Sequence, residues 1–324
     1  MRIGYALSSE EHNPAELVRY AGLAEDAGFS FALISDHYHP WIDRQGQSSF
    51  VWGVLGAISQ ATEAIEVGTG VTCPTMRTHP AVIAHAAATA ASLMPGRFFL
   101  GVGTGENLNE HILGGRWPDW EIRAEMLEEA VSIIRQLWSG SMVNHRGTHY
   151  NVRAARLYTL PDTPPPIHVA AGGAKAADLA ARIGDGLIGT GPEPDVIKAF
   201  EHAGGRGPKY GQVTICWAET EREARRTALE WWPNAAIHGA ASQELPNPGH
   251  FEELTSAVTE DQVAEAVSCG PEAGAHLAKI RAYRDAGYDR IYIHQVGPDQ
   301  TGFMRFAERE LLPALAGDLV TASR

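Results

Sequence analysis

The sequence predicts an α/β protein folded as a (β/α)8 TIM barrel with insertions, a single domain over residues 1–324. Two observations predict it. Strand-like and helix-like segments alternate from one end to the other with eight strands and no long linker, as such a barrel requires. Polar or glycine-rich residues gather just after several of the strands, on the rim where parallel α/β enzymes keep their chemistry. Length alone admits two domains or one large barrel, and insertions carry a barrel of ~250 residues to this size. A doubly wound open sheet is the alternative arrangement.

Residues 2–7 read as the first strand, and 14–27 as a helix with apolar positions Leu17, Tyr20, Ala21, Leu23 and Ala24, ended by Gly28. The apolar run 31–34 is a short buried strand, followed by a polar loop and a helix over 50–61. A strand at 65–71 runs into Thr72-Cys73-Pro74-Thr75, and a helix over 79–93 stops at Met94-Pro95-Gly96. The strand 98–102 ends in Gly103-Thr104-Gly105-Glu106-Asn107, with a helix over 122–138 later. Residues 141–166 carry weak hairpin-like alternation and a run of prolines, an insertion in the regular unit. Strands follow at 167–170, 186–190, 213–218 and 290–295, with helices at 175–183, 194–203, 221–232, 271–286 and 302–315. The Pro-, Asn- and Gly-rich stretch near 233–263 is a second insertion.

The formal net charge of −13 argues against a nucleic-acid or anionic-membrane surface, either of which needs a basic stripe. No apolar run approaches the ~20 residues of a membrane span, and the first residues read as a strand without the long apolar stretch of a signal peptide. Three scattered cysteines, Cys73, Cys216 and Cys269, form no CxxC pair and fit a reducing, cytoplasmic compartment.

The chemistry-bearing stretch is Ser35-Asp36-His37-Tyr38-His39-Pro40-Trp41, straight after the second strand. His37 beside Asp36 suits general acid–base work, because imidazole titrates near neutrality and a carboxylate can orient it; a lone loop histidine is as readily structural. Trp41 can stack on a planar ligand, donate its indole N–H, or simply pack under the loop. Glu106, after two glycines that let a ligand approach the backbone, is a second acid or a helix N-terminal carboxylate. Gly172-Gly173 opens a helix and can hold a phosphate or only turn the chain tightly. The run 101–105 resembles part of a dinucleotide fingerprint but comes after the fourth strand and lacks the full GxGxxG register, which counts against a Rossmann reading. His37-Tyr38-His39 can be a metal pair, yet metal-dependent barrel hydrolases place it on the first strand, and His168 and His294 have no carboxylate partner in order, so no metal site is expected.

Several motifs together resemble the luciferase-like flavin and deazaflavin oxidoreductases, most closely the F420-dependent glucose-6-phosphate dehydrogenase branch. They are the 35–41 stretch, Gly-Thr-Gly-Val-Thr-Cys-Pro-Thr at 68–75, Phe-Leu-Gly-Val-Gly-Thr-Gly-Glu-Asn-Leu-Asn-Glu at 99–110, Arg-Gln-Leu-Trp-Ser-Gly at 135–140, Ala-Ala-Gly-Gly at 170–173 and Gly-Asp-Gly at 184–186. The resemblance covers nearly the whole chain. It implies a barrel of the bacterial luciferase-like type with coenzyme F420 across its rim; an FMN-dependent monooxygenase is the alternative. It also implies hydride transfer between a carbinol carbon and the deazaflavin. His37 would then be the base, Trp41 would help hold the developing charge, and Glu106 would be the acid. Asp36, Gly70, Val71, Cys73, Thr104, Asn109, Ala171, Gly172, Gly173 and Thr190 would line the cofactor site, with a non-prolyl cis peptide at Gly70–Val71 and a homodimeric assembly. The family presents basic residues to the sugar phosphate from the loop after the sixth strand and from the late insertion. Here those stretches read Gly191-Pro192-Glu193-Pro194 and Phe251-Glu252-Glu253, so a small-molecule alcohol or carbonyl compound other than glucose 6-phosphate is expected.

Overall fold

The computed structural model describes residues 1–237, 239 and 241–321; residues 238 and 240 of the second insertion, and 322–324, lie outside it. Strands β1 (Arg2–Leu7), β2 (Phe31–Ile34), β3 (Glu66–Thr69) and β4 (Phe98–Val102) pair in parallel in that order. After β4 the chain makes the antiparallel hairpin β5 (Val143–Arg146) and β6 (Asn151–Ala155), which is the first expected insertion. Strands β7 (Ile167–Ala170), β8 (Gly186–Gly189), β9 (Lys209–Cys216) and β11 (Arg290–Gln295) complete the ring. Between the last two, the short strand β10 (Ser268–Cys269) adds to the end of β9. Pairing of β4 with β7, β7 with β8, β8 with β9, β9 with β11 and β11 with β1 closes an eight-stranded parallel barrel, not an open sheet.

Helices α1 (Pro14–Ala27), α2 (Val51–Ala61), α3 (Pro80–Leu93), α4 (Asn107–Glu110), α5 (Trp120–Trp138), α6 (Ala174–Ile183), α7 (Pro194–His202) and α8 (Glu221–Trp231) follow in turn. The second insertion is largely helical, with α9 (Ala241–Glu244), α10 (Pro248–Thr255) and α11 (Glu260–Ala266). The chain closes with α12 (Ala273–Ala286), α13 (Gln300–Phe306), a π-helical turn Ala307–Leu311 and α14 (Leu312–Thr321). Among the described residues no helix is long and apolar enough to cross a membrane.

Local chemistry explains the boundaries. α1 starts at a capping box, in which Asn13 accepts from the Glu16 N–H and Glu16 from the Asn13 N–H, and stops at Gly28 with φ +95°. β9 begins four residues before the expected strand, because Tyr210 and Gln212 alternate inward while the polar sequence around them hides the strand. Inside the barrel Phe31, Leu33, Phe99, Ile188, Tyr210 and Tyr292 form one apolar layer. Glycine makes room for its rings. A Cβ on Gly4 would stand 2.3 Å from the Phe31 ring, and one on Gly68 would stand 2.1 Å from Phe99. That layer is the floor of the carboxyl rim.

Candidate active site

Above the floor lie two adjoining cavities of ≈ 240 and ≈ 150 Å³. Their walls share His37, Gly70, Glu106, Thr190, Gln212 and Tyr292. Asp36, Val71, Cys73, Thr104, Asn109, Ala171 and Gly172 line the larger one, and Trp41 the smaller. Of the expected site residues only Gly173 stands outside both walls; it is the N-cap of α6, one step beyond the lining. The peptide Gly70–Val71 is cis, as the resemblance implied.

His37 sits where the cavities meet. Its Nδ1 lies 3.2 Å from the His39 carbonyl, which fixes the proton there and leaves Nε2 as the free nitrogen. That Nε2 stands 3.4 Å from Glu10 Oε1 and 3.5 Å from Glu106 Oε2. Burial works against a charged imidazole, but Glu10, Glu106 and the His39 carbonyl outweigh it and raise the pKa of His37. Trp41 lies with its ring 5.2 Å from His37 at 56° and is held on its other side by Phe251, also at 5.2 Å.

The two carboxylates diverge. Burial also opposes the charge of Glu10, yet His37 and a 2.5 Å hydrogen bond from the Ser35 hydroxyl keep its carboxyl below the ordinary value. Glu106 keeps 31% side-chain exposure through the cavity mouth, while protein encloses it on its other sides. Desolvation, with Glu10 and Glu110 nearby, raises it despite His37. Separated pKa values in one cluster are what an acid–base pair needs. Asn109 spans the rim: its Oδ1 accepts from the Tyr38 and His39 N–H groups at 2.8 and 3.2 Å, and its Nδ2 donates to Glu106.

Asp36 does not touch His37 through a hydrogen bond. It accepts from Thr72 Oγ1 at 2.7 Å and from Arg77 Nη2 at 2.9 Å, and Arg77 also faces Glu110 at 3.5 Å. The orienting group of His37 is therefore the His39 carbonyl, and Asp36 serves the loop. Cys73 is buried with its thiol 2.9 Å from Thr75 Oγ1, and burial pushes it well above the usual thiol range, so it is a neutral wall. His39 turns away from His37, donating to the Leu108 carbonyl at 2.8 Å, and the pair does not converge on a metal. Among the described residues no group of three or more His, Cys, Asp and Glu is arranged to hold one.

Sequence reasoning missed Glu10, Arg77, Gln212 and His294. Glu10 had a signal: Ser8-Ser9-Glu10-Glu11-His12 is a polar run at the carboxyl end of β1, and all five residues are buried. Glu193 and Glu252, which pointed away from a sugar phosphate, are exposed and line neither cavity; Glu252 accepts from the Asp43 N–H. Those two carboxylates therefore do not set the charge of the cavities; among the described residues no Lys or Arg lines either wall.

A closed barrel with acid–base groups on its carboxyl rim defines the class, and comparison supplies the family. The luciferase-like monooxygenase family model matches residues 1–290, and the chain belongs to that family. It is 35% identical over 329 residues to an F420-dependent glucose-6-phosphate dehydrogenase of Segniliparus rotundus, covering 97% of this chain and 98% of the relative. It is also 35% identical to F420-dependent glucose-6-phosphate dehydrogenase 1 of Rhodococcus jostii, covering 98% and 99%. Among solved structures it resembles an F420-dependent secondary alcohol dehydrogenase in complex with an F420-acetone adduct. The TM-score is 0.89 at 29% identity, covering 97% of this chain and 98% of that one.

Proposed function

We propose that this chain is an F420-dependent oxidoreductase that moves a hydride between a neutral alcohol's carbinol carbon and the deazaflavin. The observation that carries it is the position of His37 Nε2, between two carboxylates of opposite pKa shift at the junction of two cavities.

The larger cavity suits a planar cofactor. Glycines 70, 103, 105 and 172 line it, and a Cβ on Gly172 would meet nothing within 4 Å, so the trough there is open. No side chain caps the N-terminus of α6 at Gly173, which leaves its positive end for an anionic tail. When bound, the deazaflavin supplies a two-electron hydride acceptor or donor. The smaller cavity, between His37, Trp41 and Trp232, would take the alcohol. His37 would accept the hydroxyl proton at Nε2, and Glu10 would stabilise the imidazolium that results. Trp41 would help hold the charge that develops on the same oxygen. Glu106, whose carboxyl desolvation raises, would be the acid that delivers a proton on the cofactor side. The net change is loss of one hydride and one proton by the alcohol.

Walls without a Lys or Arg favour an uncharged substrate, because a dianion desolvated beside Glu10 and Glu106 would be repelled. We further read the chain as one domain, cytoplasmic and homodimeric. The deciding experiment is fluorescence titration of the purified protein with oxidised F420 and, in parallel, FMN. Saturable quenching by F420 alone is expected, followed by turnover of an uncharged alcohol and little with glucose 6-phosphate. Preference for FMN would replace this reading with an oxygen-using monooxygenase.

A further inference from the structure

Part of the wall of the smaller cavity comes from the last strands. Residues two apart on a strand share a face. Tyr210 and Tyr292 belong to the inward apolar layer, so Gln212 and His294, one step toward the rim, also face inward. Both line the smaller cavity. His294 is 2% exposed. Its Nε2 lies 2.7 Å from Glu11 Oε2, while Glu11 Oε1 accepts from the Gly297 N–H at 2.9 Å. Glu11 is thus fixed as an acceptor, and the Nε2 proton points to it. In the neutral ring Nδ1 is then an acceptor, and it is buried with no hydrogen-bond partner. A buried acceptor left unsatisfied is costly, and such exceptions mark a missing partner.

We propose that the substrate is a neutral polyol, and that His294 Nδ1 accepts a second hydroxyl adjacent to the one being oxidised. The inference rests on the alcohol-oxidation reading above and narrows its substrate class. The second hydroxyl takes no part in the redox step. The carbinol carbon gives its hydride to oxidised F420 and its hydroxyl proton to His37, so a vicinal diol leaves as a hydroxy carbonyl compound. Gln212, which lines the same cavity from the neighbouring strand, would meet further hydroxyls.

The test compares propane-1,2-diol with propan-2-ol, which share the oxidised secondary carbon and differ in one hydroxyl. The F420-loaded wild type should favour the diol at least about tenfold in kcat/KM. Calorimetric titration should show the diol binding more tightly than the mono-alcohol. In His294→Phe, with F420 affinity confirming the fold, the ratio of the two kcat/KM values should fall close to 1. Equal use of the two alcohols by the wild type would overturn the proposal while leaving alcohol oxidation standing, and that comparison needs no variant. An undiminished ratio in His294→Phe would overturn it too. Binding and turnover of neither alcohol would overturn both readings.

Discussion

Two basic side chains stand side by side on the carboxyl rim, each between two carboxylates. Arg77 lies between Asp36 and Glu110, at 2.9 and 3.5 Å, and His37 between Glu10 and Glu106, at 3.4 and 3.5 Å. The charge pattern is the same, but the proton is not. A guanidinium cannot give up its proton in a protein, so the Arg77 cluster is permanently charged and can only hold. It ties the loop after β2 to that after β4 through two side-chain contacts, a hydrogen bond to the Asp36 carbonyl and its own N–H to Glu110. An imidazole titrates near neutrality, so the His37 cluster can hold or release. One cluster is the frame and the other is the machine.

The sharpest way to break this contrast is to remove each basic side chain. His37→Ala should lower turnover by about 10²–10⁴, the usual worth of a general base, while F420 affinity stays within a few-fold. It also leaves Glu10, with 4% side-chain exposure and a carboxyl that His37 helps to keep low, without its ionic partner, so some stability should be lost as well. Steady-state kinetics beside a fluorescence titration would check both; turnover left within tenfold of wild type would remove His37 as the base.

Arg77→Met should do the reverse in kind. It strands Asp36, with 4% side-chain exposure, and Glu110, with 1%, so unfolding free energy should fall by about 3–5 kcal/mol. Denaturant melts would show it as a lower midpoint. A loss below about 1 kcal/mol would mean that the two loops are held by packing and by the Asn109 bridge, and the frame would have to be relocated.

Much of this rim was legible in the sequence, for a physical reason. Strand β2 reads as apolar residues closed by a polar loop, so Asp36, His37 and Trp41 announce themselves in seven positions. Glu106 does so behind its glycines. What could not be read depends on closure. His294 and Glu11 are 283 residues apart and meet only because β11 pairs with β1 across the seam of the barrel, with Ile293 in register with Tyr5. Nothing in residue order supplies that partner. Likewise Asp36 beside His37 in sequence suggested an orienting pair, whereas the backbone turns Asp36 toward Arg77 and Thr72. Adjacency along a loop does not fix which way two side chains face. The second insertion read as irregular because its helices are short and interrupted by Pro and Gly, and its packing on Trp41 through Phe251 is a tertiary matter.

The subtlest difference between the clusters lies in how Glu10 acts on His37. Of the groups that raise the imidazole's pKa against the effect of burial, Glu10 is the strongest, ahead of Glu106. In the oxidative direction the base must be neutral, so kcat/KM should rise with pH through the elevated pKa of His37, above the ordinary ~6.5 of an imidazole. Glu10→Gln keeps the shape and the burial but deletes the charge. Desolvation, which lowers the pKa, then meets only Glu106 and the His39 carbonyl. The midpoint of the kcat/KM profile should therefore move to lower pH. At pH values below the wild-type midpoint the variant should hold a larger neutral fraction, offset by weaker support for the imidazolium once the proton arrives. A midpoint that stays in place or moves upward would show that Glu10 does not tune His37. The cluster would then resemble the Arg77 cluster more closely than its chemistry suggests, with carboxylates that hold a ring in position and leave its proton alone.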